Sequence, residues 1–232
     1  MTHKHGGNIY EYKNMADFSA NINFRGMPEA VQSAAFEAIR ASIHYPEPES
    51  RGLKKILAER ENVSEDQVIC GNGAAEVLFL LAMAIRPKHA VLAQPCFFEY
   101  EQSLAAVNCR ITNVWLKEED DFCLTENFVS RIPSDADLVM LGNPNNPTGR
   151  LVEAKALEAI RAHCRANGIW LVLDESFFDF LTEEAAAKTE EAVHFAEENV
   201  FVIKSFTKMY AMPGLRVGYG ICKNVSLLEH MK

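Results

Sequence analysis

At 232 residues the chain is long enough for one large α/β domain or two small ones, either able to hold a sizeable core. With 48% hydrophobic and 24% charged residues, disordered and fibrous classes are set aside. The net charge of -9 argues against a nucleic-acid or anionic-membrane partner, since either needs a basic face. The opening MTHKHGGNIYEYKN lacks the apolar stretch of a secretory signal, and no apolar run approaches a membrane span, so a cytoplasmic protein is expected. Cys70, Cys96, Cys109, Cys123, Cys164 and Cys222 form no C-x-x-C pair and read as free thiols, not as a disulfide frame or zinc site.

Residues 1–44 read as an N-terminal arm and a first helix, MPEAVQSAAFEAIRASI, with a proline near its first turn. HYPEPESRG breaks that helix, and a second, LKKILAER, follows. From Gln67 the apolar runs QVIC, AVLA, RITNVWL, DLVML, GIWLVLD, NVFVIKS and RVGYGIC alternate mostly with helical stretches. Crossover connections and a largely parallel sheet buried on both faces are therefore expected, with residues 45–223 as the main domain. The acidic TEEAAAKTEEAVHFAEEN reads as a solvated helical connection. Residues 224–232, NVSLLEHMK, read as the start of a helix with neither C-cap glycine nor proline stop, so an incomplete chain is expected.

Open α/β sheets bind ligands beyond the carboxyl ends of their strands. In VICGNGAAEVLFLLAMAI a strand passes through glycines into an apolar helix, whose freed amides at Gly73, Ala74 and Ala75 favour a phosphate. A tight turn with no ligand fits the same residues, and Glu76 stands where a dinucleotide fingerprint needs its third glycine. In LVMLGNPNNPTGR, three asparagines and two prolines after a buried run predict a rigid turn with amides aimed at the strand-end cleft. GIWLVLDESFFDF drives apolar residues into Asp174, either a desolvated carboxylate that needs a partner or a helix N-cap near solvent.

The stretch VIKSFTKMYAMPGLRVGYG places Ser205, Thr207 and Arg216 around Lys208. Serine and arginine together suit a phosphate, and a nearby cation with partial burial lowers a lysine pKa toward the free amine that attacks carbonyls. A ligand with a phosphate, an aldehyde and a ring nitrogen to pair with Asp174 meets all these demands, and pyridoxal phosphate is one.

At this point NPNNPTG, DES, SFTKMYAMPGLRVGY and HYPEPESRGLKKILAE resemble the fold-type I, class II-like pyridoxal-phosphate aminotransferases over essentially the whole chain. Within that superfamily, HGGN followed by DFSANIN looks most like the L-threonine O-3-phosphate decarboxylases of cobalamin biosynthesis, with histidinol-phosphate aminotransferases close behind. The resemblance implies a three-layer α/β/α fold whose mostly parallel, seven-stranded sheet has one strand reversed. It also implies a homodimer with shared sites, in which Tyr45 reaches the phosphate of the neighbouring subunit's cofactor. Lys208 would condense with the aldehyde and later shuttle a proton, Asp174 would pair with the ring nitrogen, and Asn146 would donate to the ring hydroxyl. Phe97 would stack on the ring, while Ser205, Arg216, Gly73 and Ala74 would hold the phosphate. His5, Gly6, Gly7 and Asn21 would lie over a small phosphorylated amino acid as substrate, and no metal is implied.

Two departures stand out. The aminotransferases usually carry tyrosine three residues after the ring-pairing aspartate, and Phe177 stands there. The family's C-terminal small domain, which supplies arginines for the substrate, is expected to be missing after Lys232. The expected reaction is decarboxylation of L-threonine O-3-phosphate to aminopropanol phosphate. A histidinol-phosphate-type aminotransferase and an inactive cofactor-binding fragment are the alternatives.

Overall fold

The computed structural model describes residues 6–11, 14–189, 191–195 and 197–232. Short runs rich in Val, Ile and Leu become strands β1 (Val68–Gly71), β2 (His89–Gln94), β3 (Arg110–Trp115), β4 (Leu138–Gly142), β5 (Trp170–Asp174), β6 (Val200–Ser205) and β7 (Gly218–Cys222). They form one sheet in the order β1-β7-β6-β5-β4-β2-β3. Pairings from β3 through β6 are parallel, and β7 runs antiparallel to both β1 and β6, so one strand is reversed as the resemblance implies. Every residue of β2, β4, β6 and β7 is buried, which is why these strands carry little polar alternation. β3, at the sheet edge, keeps Arg110, Asn113 and Trp115 exposed.

Helices cover both faces. Leu57 and Ala58 of α2 (Arg51–Glu61) and Leu157, Ile160 and Cys164 of α5 (Ala154–Asn167) pack on Val139, Leu141, Leu171, Leu173 and Val202. On the opposite face, α3 (Ala74–Ile85), α4 (Phe98–Ala105) and α7 (Val225–His230) pack on Met140, Val172, Phe201 and Ile203. Leu171 and Leu173 thus face one layer and Val172 the other, the two-residue period of an extended strand. Each fully buried leucine, such as Leu78 or Leu157, contributes about 2 kcal/mol by burial. α5 stops at Gly168, whose φ of 66° is the left-handed cap that glycine adopts without penalty. The first helix, α1 (Glu29–Ala41), forms as expected but buries none of its residues.

The acidic stretch after Leu181 corrects its expected form. α6 spans only Glu183–Ala186, capped by the Thr182 hydroxyl, and the chain then turns inward. The Thr189 hydroxyl donates to the Val152 carbonyl at 2.7 Å and accepts from Asn143 Nδ2 at 3.0 Å. That tether buries Ala192, Val193 and Phe195, so only the first part of the stretch is a solvated helix. No helix among the described residues is long and apolar enough to cross a membrane. All six cysteines are free.

Candidate active site

The carboxyl ends of β2, β4, β5 and β6 and the start of α3 converge on a cavity of about 590 Å³. Lys208 lies on its wall, in the turn after β6, and the N-terminal arm straps that turn from outside. Asn23 donates its backbone N–H to the Lys208 carbonyl at 3.1 Å and its side-chain Nδ2 to the Met209 carbonyl at 2.9 Å. Burial pulls the Lys208 ammonium below the ordinary lysine range and Arg216 pulls the same way, while Glu99 and Asp174 oppose them.

Asp174 ends β5 and faces the same cavity, 7% exposed. Tyr100 Oη donates to its Oδ2 at 3.0 Å and the Ser176 amide donates to Oδ1 at 2.9 Å. No helix begins at Asp174, so the N-cap alternative does not hold. Burial pushes its carboxyl above the ordinary range, with the hydrogen bonds from Ser176 and Tyr100 acting against the rise. No ion pair joins Asp174 among the described residues, and a cationic ligand atom would relieve it.

At the other end, Ala74 and Ala75 bring the first turn of α3 to the wall, with Gly73 behind them as N-cap. Gly73 has φ 86°, and a Cβ on it would sit 2.5 Å from Arg216 Nη2. A Cβ on Gly218 would sit 2.5 Å from the Ala74 amide nitrogen. Two glycines therefore let the guanidinium and the β7 backbone close on the helix start. Arg216 is aimed by donating to the Pro213 and Asn72 carbonyls, at 3.0 and 3.4 Å. Ser205 Oγ lies 2.8 Å from Thr207 Oγ1, and both residues line the cavity. A helix N-terminus, a guanidinium and two hydroxyls make a seat for an anion.

Phe97, the N-cap of α4, lines the wall with its ring edge-on to Tyr100, centroids 5.6 Å apart. Of the three asparagines after β4, Asn146 alone reaches the cavity. Asn146 is the one assigned to the ring hydroxyl by the resemblance, and the other two hold the loop. Asn143 is buried and bridges Val152 and Thr189, and Asn145 donates to the Pro95 carbonyl and to the Thr148 hydroxyl. Gly6 and Gly7 line the main cavity, and Asn21 lines an adjoining space of about 250 Å³ that shares Phe97, Asn146 and Lys208. Phe177 is on both walls. Tyr45 is on neither and is 99% exposed. His5 lies outside the described residues.

Two wall residues, Tyr100 and Glu99, carry no signal in the sequence. Both sit in the first turn of α4, FEYEQ, where helical spacing shows an amphipathic surface and nothing of the link to Asp174, 74 residues away. The assembled cavity asks for a ligand with an anion at one end, a cation at the other and an electrophile within reach of an amine.

The family Aminotransferase class I and II matches residues 13–232. The threonine-phosphate decarboxylase of Salmonella typhimurium is 35% identical over 98% of this chain and 64% of its own length. A histidinol-phosphate aminotransferase of Staphylococcus carnosus is 30% identical over 88% of this chain and 57% of its own length. The crystal structure of L-threonine-O-3-phosphate decarboxylase from Porphyromonas gingivalis superposes with a TM-score of 0.78 at 25% identity, covering 92% of this chain and 62% of that one. This chain thus spans about three-fifths of the length of the proteins it resembles. The chain belongs to the class I and II aminotransferases, whose cofactor is pyridoxal phosphate and whose demands on a binding site the cavity fits.

Proposed function

We propose that this chain carries the cofactor site of a decarboxylase acting on a small phosphorylated amino acid, L-threonine O-3-phosphate, and yielding aminopropanol phosphate. The observation that carries the reading is one cavity holding Lys208, Asp174, Ser205 and Arg216 at the start of α3. The Salmonella typhimurium decarboxylase adds to it, matching more of this chain at higher identity than the Staphylococcus carnosus aminotransferase does.

Bound in this cavity, pyridoxal phosphate supplies a sink for the electrons left on a substrate α-carbon when one of its bonds breaks. Lys208 Nζ is the amine for the aldehyde, and its depressed pKa raises the share of free amine at neutral pH. The same nitrogen would be placed to move a proton at the substrate α-carbon. Asp174 would hold the proton on the ring nitrogen, Asn146 would donate to the ring hydroxyl, and Phe97 would cover the ring, all three lining the cavity. Ser205, Arg216, Gly73 and Ala74 take the phosphate. Tyr45, exposed and off this cavity, would serve the phosphate of a second copy in a homodimer. Gly6, Gly7 and Asn21 would cover the substrate.

Carbon dioxide released from L-threonine O-3-phosphate by the cofactor-loaded protein tests the reading. Glutamate formed from 2-oxoglutarate and histidinol phosphate would replace it with the aminotransferase reading that the Staphylococcus carnosus relative supports. Cofactor binding with neither product would leave a binding module.

A further inference from the structure

Behind the cavity, on the opposite face of the sheet, ionisable groups from several elements meet inside the core. Strand alternation puts them there. Asp174 and Ser205 follow Val172 and Ile203 onto the α3 and α4 face, whereas Glu175 and Lys204 follow Leu173 and Val202 onto the α2 and α5 face. Lys204 Nζ lies 2.9 Å from Glu61 Oε2 at the end of α2, bonds Glu191, and stands 3.9 Å from Glu175 Oε2. Tyr219 Oη of β7 donates to Glu61 Oε1 at 2.6 Å. Arg60 Nε lies 3.4 Å from the same oxygen, and its two Nη atoms reach Asp179 at 3.0 Å and Tyr210 Oη at 3.2 Å. Tyr210 is two residues beyond Lys208, so the network grips the reactive turn as well as both strand ends.

Glu175 is the odd member. Its Oε1 accepts from the Ala192 amide at 2.8 Å, but its Oε2 is buried with no hydrogen-bond partner. The groups facing it are Lys204 from β6, Glu61 from α2 and Glu191 from the inward-turned segment, with His194 3.8 Å behind Glu191. Lys204 and Arg60 already stand against three carboxylates, Glu61, Glu191 and Asp179, before Glu175 ionises. Burial pushes the Glu175 carboxyl up to about 8. Lys204 and the Ala192 amide oppose the rise, and Glu191 and Glu61 add to it. Its own amide donates to the Ile203 carbonyl at 2.8 Å and the Asp174 carbonyl accepts from the Asn143 amide at 2.9 Å, so any shift of Glu175 is shared with Asp174 through one peptide unit.

We propose that this back-face network is a positioning device for the cavity: with Glu175 neutral it fixes Asp174, Ser205 and the Lys208 turn in one geometry, and when that proton leaves, the grip on a ring and phosphate in front loosens. The proposal rests on the reading of Asp174 and Ser205 as cofactor-binding residues. The sign follows from linkage. The unfolded Glu175 ionises near 4.5, so between there and about 8 the folded chain holds a proton that the unfolded chain has lost. Stability falls as pH rises through that window and levels off above it.

The probe is 4-deoxypyridoxine 5′-phosphate, which keeps the ring and phosphate but has no aldehyde for Lys208. Its dissociation constant is measured on the wild type and on Glu175→Gln between about pH 6.5 and pH 9.5, with a thermal melt at each pH. Below pH 7 the two proteins should bind within about twofold; at the alkaline end the wild type should bind roughly tenfold more weakly than the variant, a typical coupling. Glu191→Gln removes one anion facing Glu175, which makes ionisation easier, and should move the wild-type transition to lower pH. An affinity ratio between wild type and Glu175→Gln that is constant across the range, or a transition unmoved in Glu191→Gln, overturns the coupling while leaving the cofactor reading intact. Probe binding to no protein at any pH overturns both.

Discussion

Asp174, the last residue of β5, and Glu175, the next in the chain, are both buried and solve the burial of a carboxyl in opposite ways. On the front face Asp174 is held by a tyrosine hydroxyl and an amide, with no cation bonded to it among the described residues, beside a lysine whose charge is itself disfavoured. On the back face Glu175 sits in a network whose other charges are paired within the protein. A desolvated group left short of a partner is stable only if the fold around it is over-determined, and the back-face pairs are part of what determines this one. The front is built to be completed by a ligand, the back to need none.

Removing the front-face amine should have the largest effect. Lys208→Ala is expected to lower turnover about a thousandfold or more, since the proposed function makes this one amine both the nucleophile and the proton carrier. Peptide mapping after borohydride reduction should lose its labelled peptide in this variant. A label persisting on another lysine would show that the front face was misassigned.

Removing a back-face partner should instead appear as stability. Glu61→Ala strips Lys204 and Tyr219 of a shared acceptor inside the core, and is expected to cost about 3 kcal/mol in denaturant unfolding. If the loss is under about 0.5 kcal/mol, the back face behaves like a surface salt bridge and the contrast between the faces fails.

Gly218→Ala probes the joint between them, because β7 belongs to the sheet and closes on the anion seat. The added methyl would meet the Ala74 amide nitrogen at 2.5 Å, so either the α3 start or the strand must move. Binding of inorganic phosphate or of the cofactor is expected to weaken roughly tenfold, with a smaller change in melting temperature. Equal loss in both would mean that the seat has no rigidity of its own.

Much of the front face could be read in the sequence. An apolar run that gives way to polar residues marks a strand end; Asp174 and Ser205 close such runs, and Lys208 lies three residues beyond Ser205. The seven strands were legible as short apolar runs alternating with helical stretches. The back face was not, because Glu61 closes a helix full of lysine and arginine and Glu191 lies in an acid-rich stretch, where a charge ordinarily faces solvent. Only the fold joins residues 61, 175, 191 and 204. The asparagines after β4 divide in the same way: their composition announces a built turn, but which amide faces the cavity depends on contacts with Thr189 and Pro95.

The finest distinction between the faces is Tyr100→Phe. The variant keeps the ring against Phe97 and removes one hydrogen bond, the Oη donation to Asp174 at 3.0 Å. That bond favours the ionised carboxylate, so its loss should raise the Asp174 pKa further from the ordinary range. In the free protein the expected cost is about 1 kcal/mol of stability at neutral pH, and less in acid, where the carboxyl is protonated in either case. In the proposed reading a bound cofactor brings a cationic ring nitrogen to Asp174, which would offset the missing donor, so the gap between variant and wild type should narrow on loading. Paired denaturant curves with and without cofactor measure this. A gap that widens on loading would mean that Tyr100 serves the ligand directly and not the carboxylate.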